Sequence, residues 1–192
     1  MDRQVHHRPG HRPRRPQARP RRTEPEPLTA QAHPTHDETT GEIPQEDTIG
    51  RTPQIFRIVI RATPQQIWDA ITLPEFTSRY FHGAAISSTA DHYSSLGPDG
   101  STWGDSAVLE FDPPRRLVHG WRSLYDPELA AEPESRVTWE IEPADDGTCA
   151  LTVVHDHLGG APRTASSISG FGWAGVISGL KTLVETGRPM RG

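Results

Sequence analysis

The chain has 192 residues, 33% of them hydrophobic and 23% charged, and a formal net charge of −5. That is room for one domain of ordinary size with chain to spare. No run approaches the ~18 apolar residues that span a bilayer, and the single cysteine, Cys149, excludes an internal disulfide framework or a cysteine-built zinc module.

Residues 1–50 hold eight prolines, five histidines and eight arginines, with only Val5, Leu28, Ile43 and Ile49 as large aliphatics. Such a segment cannot bury enough apolar surface to offset its ordering entropy, so it reads as a disordered, charged tail ahead of a folding domain over 51–192. Its charge is divided: eight arginines against Asp2 give +7 over 1–22, and seven acids give −7 over 23–50. No aromatic side chain is interleaved with the arginines and an acidic block adjoins them, so no nucleic-acid partner is expected. Arg14-Arg15 and Arg21-Arg22 are not followed by an apolar stretch, which argues against an export signal and for a cytoplasmic protein.

The first regular element is a strand over Gln54–Arg61, whose Ile55, Phe56, Ile58, Val59 and Ile60 form an almost continuous apolar run. Thr63 as N-cap, Pro64 at the first helical position and Gln66 two residues on predict a capped short helix with Ile67, Trp68 and Ile71 on one face. Leu73-Pro74 ends it, and a second short helix is expected over Pro74–Phe81. Strands follow at Ala85–Ser88, Ala107–Phe111 and Arg116–Arg122. Residues 90–105 resist placement apart from a turn at Gly97-Pro98-Asp99-Gly100. Residues 123–134, with two prolines and four acids, read as a loop. Arg136–Glu142 and Thr148–His155 make a hairpin around Ala144-Asp145-Asp146-Gly147. Cys149 reads as a small packing residue within it.

Alternation sets the faces. Val137, Trp139 and Ile141 point inward, as do Leu151, Val153 and His155, and Leu117, His119 and Trp121 share a face. From Ser167 to Glu185, Trp173, Val176, Ile177, Leu180, Leu183 and Val184 recur at spacings of three and four, an amphipathic helix stopped by Gly187 and Pro189. Gly172, Gly175 and Gly179 repeat at the same spacing, which predicts a close approach or room for a ligand. This order of elements is α+β, with one long helix against a curved antiparallel sheet.

In His155-Asp156-His157 both imidazoles would project to the inner side of a strand, but a catalytic zinc wants three protein ligands and no HExxH spacing exists, so no metal is expected. Gly170-Phe171-Gly172 lacks the lysine of a phosphate loop, and no cofactor motif is present. His119 could orient a carbonyl or act as a base. No activated serine, paired carboxylate or third orienting group accompanies it, so no catalytic residue is assigned.

Several stretches resemble the SRPBCC (START and Bet v 1-like) superfamily, in the bacterial branch named after the C-terminal domain of the activator of Hsp90 ATPase. They are residues 62–72, Pro74-Glu75-Phe76, Asp112 through Val118, Val137 through Ile141, Leu151 through Asp156, and Leu180-Lys181 with Glu185-Thr186-Gly187. The resemblance runs in order from about 54 to 189 and implies a helix-grip fold. Six or seven antiparallel strands would curl round the C-terminal helix, with two short helices after the first strand and an apolar cavity between sheet and helix. The expected function is binding of a small apolar or aromatic molecule there, with His119, Trp121, Trp139, Leu151, Val153, His155, Trp173, Ile177 and Leu180 as its contacts. The alternative is a protein-interaction domain of co-chaperone or toxin–antitoxin type with a protein partner. A polyketide-type cyclase or dehydratase ranks behind both, and the protein is more readily a binder than an enzyme.

Overall fold

The computed structural model describes residues 52–190, and the expected disordered tail over 1–50 lies outside them. The chain order is β1 (Gln54–Ile60), α1 (Pro64–Thr72), α2 (Pro74–Thr77), β2 (Ala85–Ser88), β3 (His92–Leu96), β4 (Thr102–Asp112), β5 (Arg116–Trp121), α3 (Pro127–Ala130), β6 (Ser135–Pro143), β7 (Cys149–Asp156), α4 (Pro162–Ile168) and α5 (Phe171–Thr186). All seven strands join one sheet in the order β1-β7-β6-β5-β4-β3-β2, every neighbouring pair antiparallel. α1 and α2 carry the chain from the β1 edge to the β2 edge. The meander then returns until β7 lies beside β1, from Gln54↔His155 to Ile60↔Cys149. This is the helix-grip α+β fold.

Local chemistry explains the first helix. The Gln66 amide donates to the Thr63 hydroxyl at 3.2 Å, and the Gln66 side-chain oxygen accepts from the Thr63 amide at 2.9 Å. Two of the orphan donors of α1 are thereby satisfied. Its Ile67, Trp68 and Ile71 are buried against the sheet. The second helix is shorter than the sequence predicts. Thr77, fully buried, accepts from the Ile86 amide at 2.8 Å, which ties the chain to β2, and irregular turns follow in which the Phe81 amide still donates to the Thr77 carbonyl at 2.8 Å. The chain then turns through left-handed backbone at His82 (φ 54°) and Gly83 (φ 82°).

Two further corrections concern the irregular stretches. Residues 90–105 contain β3 and the first part of β4, closed by a turn in which the Gly97 amide donates to the Ser101 carbonyl at 2.8 Å. The loop over 123–134 contains one helical turn, α3, capped by Asp126. The C-terminal helix is in fact two. Ser167 and Ile168 belong to α4, a break at Ser169-Gly170 follows, and α5 starts at Phe171. It ends as the sequence predicts, on Gly187 in the left-handed conformation (φ 70°), whose amide donates to Leu183 at 2.8 Å.

The core lies between the sheet and α1 and α5. Val137, Trp139, Ile141, Leu151 and Val153 meet Trp173, Val176, Ile177 and Leu180, all buried. Cys149 is a packing residue: it is buried, its thiol donates to the Ala62 carbonyl at 3.1 Å, and burial pushes its pKa up. A Cβ on Gly179 would stand 3.2 Å from the Tyr80 Cβ, so here the helix makes a close approach; around Gly175 there is open space. The outer face of the sheet carries ion pairs, among them Arg116 with Glu110 and Glu140, and Arg136 with Asp156.

Candidate functional site

Each of the two inward histidines is held between a hydrogen-bond acceptor and a tryptophan. His119 Nδ1 lies 2.7 Å from the Gly120 carbonyl oxygen, which can only accept, so Nδ1 carries the proton. The lone pair on Nε2 then receives the Trp139 indole N–H at 3.3 Å. Tyr93 stacks on the ring with centroids 4.0 Å apart and planes 9° apart. Burial pushes the His119 pKa down from 6.5 to about 4, against the pull of the Gly120 carbonyl.

His155 is the mirror case. The Trp173 indole N–H donates to Nδ1 at 3.0 Å, so the proton of the neutral ring sits on Nε2, which donates to Ser135 Oγ at 2.7 Å. The Ser135 hydroxyl in turn donates to the Trp121 carbonyl at 3.3 Å. Burial, then the neighbouring His119, pushes the His155 pKa to about 3, while Asp156 pulls the other way.

Ser135 and His155 stand at the distance of a nucleophile–base pair, but the polarity is reversed. A base needs its lone pair on the serine and an acceptor behind it to hold the opposite N–H. Here a donor stands behind, so Nε2 bears the hydrogen and cannot take one from Ser135. Neither imidazole is arranged as a general base.

His157 does not accompany His155. The strand ends at Asp156, and His157 leaves it in left-handed backbone (φ 57°) with its side chain exposed. The expected shared projection therefore fails. Among the described residues no group of three or more His, Cys, Asp or Glu side chains is placed to hold a metal ion.

An aromatic cleft of about 320 Å³ lies at one end of this network. It is bordered by the first half of β4 and by the chain that continues β5, which stay joined where the Leu124 amide donates to the Trp103 carbonyl at 2.9 Å. The ladder of β4 with β3 runs from Thr102↔Leu96 to Ala107↔His92, and its ladder with β5 from Val108↔His119 to Asp112↔Arg116. Six aromatic side chains line the cleft: Phe81, Tyr93, Trp103, Trp121, Tyr125 and Trp173. Several pack on each other, with ring centroids 5.6 Å apart for Trp121–Trp173 and 5.9 Å for Phe81–Trp173. Ser95, Ser123 and Ser167 add hydroxyl-bearing residues, and among the described residues Arg122 is the one permanently charged member of the lining and no carboxylate belongs to it.

α4 supplies one wall through Ser167 and Ile168. Glu132 fixes that helix by accepting from the Arg163 amide (2.8 Å), the Thr164 amide (2.8 Å) and the Thr164 hydroxyl (2.7 Å). Desolvation opposes the Glu132 charge, but the donors on Thr164 and Arg163 outweigh it and hold the carboxyl below its usual range.

Of the nine contacts expected from the sequence, Trp121 and Trp173 line this cleft. His119, Trp139, Leu151, Val153, His155, Ile177 and Leu180 are placed behind them, in the core. His119, Trp121 and Trp139 also border an interior cavity of about 10 Å³, with Phe81, Ser88 and Tyr93 among its other walls. Sequence reasoning missed Phe81, Tyr93, Trp103 and Tyr125. Tyr93 carried a signal, since exposure alternates along β3 with Tyr93 and Ser95 inward. A serine at an inward position hides that alternation.

A second groove of about 360 Å³ lies between α5, at Gly175 and Gly179, and residues 78–83, with Phe171 beside it 89% exposed.

The family model described as Activator of Hsp90 ATPase homolog 1-like protein matches residues 61–185. Among solved structures, the protein MLL2253 from Mesorhizobium loti is 20% identical at a TM-score of 0.56, the match covering 69% of this chain and 96% of that one. CalU16 from Micromonospora echinospora is 21% identical at 0.55, covering 72% and 77%. DynU16, a protein of the dynemicin biosynthetic locus, is 22% identical at 0.58; the match covers 71% of this chain and 48% of DynU16. At such identities the likeness is one of fold. No curated protein matches the chain.

Proposed function

We propose, from the premise that the chain belongs to the Activator of Hsp90 ATPase homolog 1-like family, of SRPBCC type, that it is a binding module for a small apolar or aromatic molecule. The observation that carries this reading is the 320 Å³ cleft walled by six aromatic side chains. Its size is at the lower end of small-molecule pockets and suits a compact ring system. Enclosing roughly 300 Å² of apolar ligand surface is worth about 7 kcal/mol before association costs, so this burial alone supports a dissociation constant no tighter than about 10 μM. Trp121, Trp173 and Tyr93 would supply the inner wall, with Trp103 and Tyr125, 5.4 Å apart between centroids, at the rim. His119 and His155 act indirectly, by fixing the tryptophans through their indole N–H groups and the Trp121 carbonyl.

Titration of the full chain with 2-acetylnaphthalene, followed by tryptophan fluorescence, tests the reading. Ser167 is exposed and lines the cleft, so Ser167→Trp fills the cleft without disturbing the core. Saturable binding, with a dissociation constant of about 10 μM or weaker, that weakens at least tenfold in Ser167→Trp with an unchanged melting temperature supports it. No binding, or binding indifferent to that substitution, overturns it.

A further inference from the structure

Two buried polar atoms stand apart from the rest of the interior. Trp121 Nε1 and Ser88 Oγ are shielded from solvent and have no hydrogen-bond partner among the described residues. The contrast with their neighbours is direct. The indoles of Trp103, Trp139 and Trp173 donate to Ser101, His119 and His155. Leaving a buried donor unmatched costs about 1–3 kcal/mol, so two in one place point to an occupant.

Their residues meet at one cavity. Trp121 and Ser88 both border the interior cavity of about 10 Å³, a space of the size that one water-sized group needs. Ser88 faces it because it is paired with Tyr93 across β2 and β3, and cross-strand partners share a face. The other walls are apolar or already satisfied. The Tyr80 hydroxyl donates to the Ala70 carbonyl at 2.9 Å and both His119 nitrogens are engaged. The chemistry on offer is thus one indole N–H, which only donates, and one hydroxyl, which can do either.

We propose that this cavity is a binding site for a single oxygen atom that accepts from the Trp121 indole and pairs with the Ser88 hydroxyl. Phe81, Tyr93 and Trp121 border both this cavity and the aromatic cleft, so the oxygen has two sources. It is a water, or it is the carbonyl oxygen of an aromatic ketone whose rings lie in the cleft. The second source rests on the proposed function; the oxygen site itself does not.

A high-resolution crystal structure of the full chain, free and soaked with 2-acetylnaphthalene, is read for an oxygen peak within about 3.2 Å of both Trp121 Nε1 and Ser88 Oγ. In parallel, affinities are compared for 2-acetylnaphthalene and 2-isopropenylnaphthalene, in which a methylene replaces the carbonyl oxygen. A peak in the free protein that persists in the complex, with no ketone preference, supports the site with water as occupant. Occupation by the ketone oxygen, with an at least tenfold ketone preference that Ser88→Ala abolishes, supports the ligand as the source. No peak in either crystal together with equal affinities overturns the proposal. Should neither naphthalene bind, the proposed function falls, while the peak in the free protein still decides the oxygen site.

Discussion

Acid should unfold this domain through His119 and His155 before its carboxylates discharge. Both imidazoles are neutral in the fold, with pKa values of about 4 and about 3 against 6.5 in the free side chain. Between pH 6.5 and 4 the unfolded chain therefore binds more protons than the folded one. The stabilisation is complete above pH 6.5 and is lost as pH falls toward the folded values. Near pH 5 the difference approaches two protons, a slope of about 2.5 kcal/mol per pH unit. From pH 7 to pH 5 the summed loss is about 4 kcal/mol, a large part of the 5–15 kcal/mol typical of a domain. Asp156, Glu132 and Glu185 are all held below their usual pKa, so the stability they contribute disappears only below about pH 4.5. Urea unfolding curves at half-unit steps from pH 7.5 to 5 measure the slope. His119→Gln and His155→Gln should each remove about one proton from it, whatever they do to stability at pH 7. A flat dependence over pH 6.5–5, or a slope untouched by both substitutions, would refute the assignment of two neutral buried imidazoles.

Trp173→Phe keeps most of the packing but leaves His155 Nδ1 without its donor, and should cost about 1–3 kcal/mol in chemical denaturation; no loss would mean that the Trp173–His155 bond does not hold the core. Gly175→Ala, with open space around the new Cβ, should stabilise α5 by about 0.5–1 kcal/mol, whereas Gly179→Ala should gain nothing because its Cβ would press on Tyr80 at 3.2 Å. Equal melting-temperature shifts for the two would argue against the close approach. Thr63→Ala should lose about 1 kcal/mol with the capping box and Thr63→Ser should retain it, both read from thermal melts.

Where the local signal is strong, sequence and structure agree on the elements. The box at Thr63-Gln66, the hairpin turn at Asp146-Gly147 and the Gly187 stop each depend on residues within a few positions of one another, and the structure forms them all. The inward sets on β5, β6 and β7 follow from the two-residue strand period alone, and Leu117, Val137, Trp139, Leu151 and Val153 are all buried. β3 escaped because its inward positions are Tyr93 and Ser95, and a buried serine looks the same in sequence as an exposed one. The break between α4 and α5 escaped because the helical period of the apolar residues begins only at Trp173. What precedes it is settled by Glu132, some thirty residues back.

By itself, then, the amino-acid order determined the strand and helix periods, the caps and which side chains must leave water, because each of these is a property of one short segment. Only the tertiary structure decided that Trp139 and Trp173 would donate to His119 and His155 and so remove them as bases. It alone decided that the cleft would open in front of Trp121 and Trp173 rather than between β6, β7 and α5. Hydrogen-bond partners and cavities depend on where segments distant in sequence come to rest, and periodicity within one segment carries no record of that.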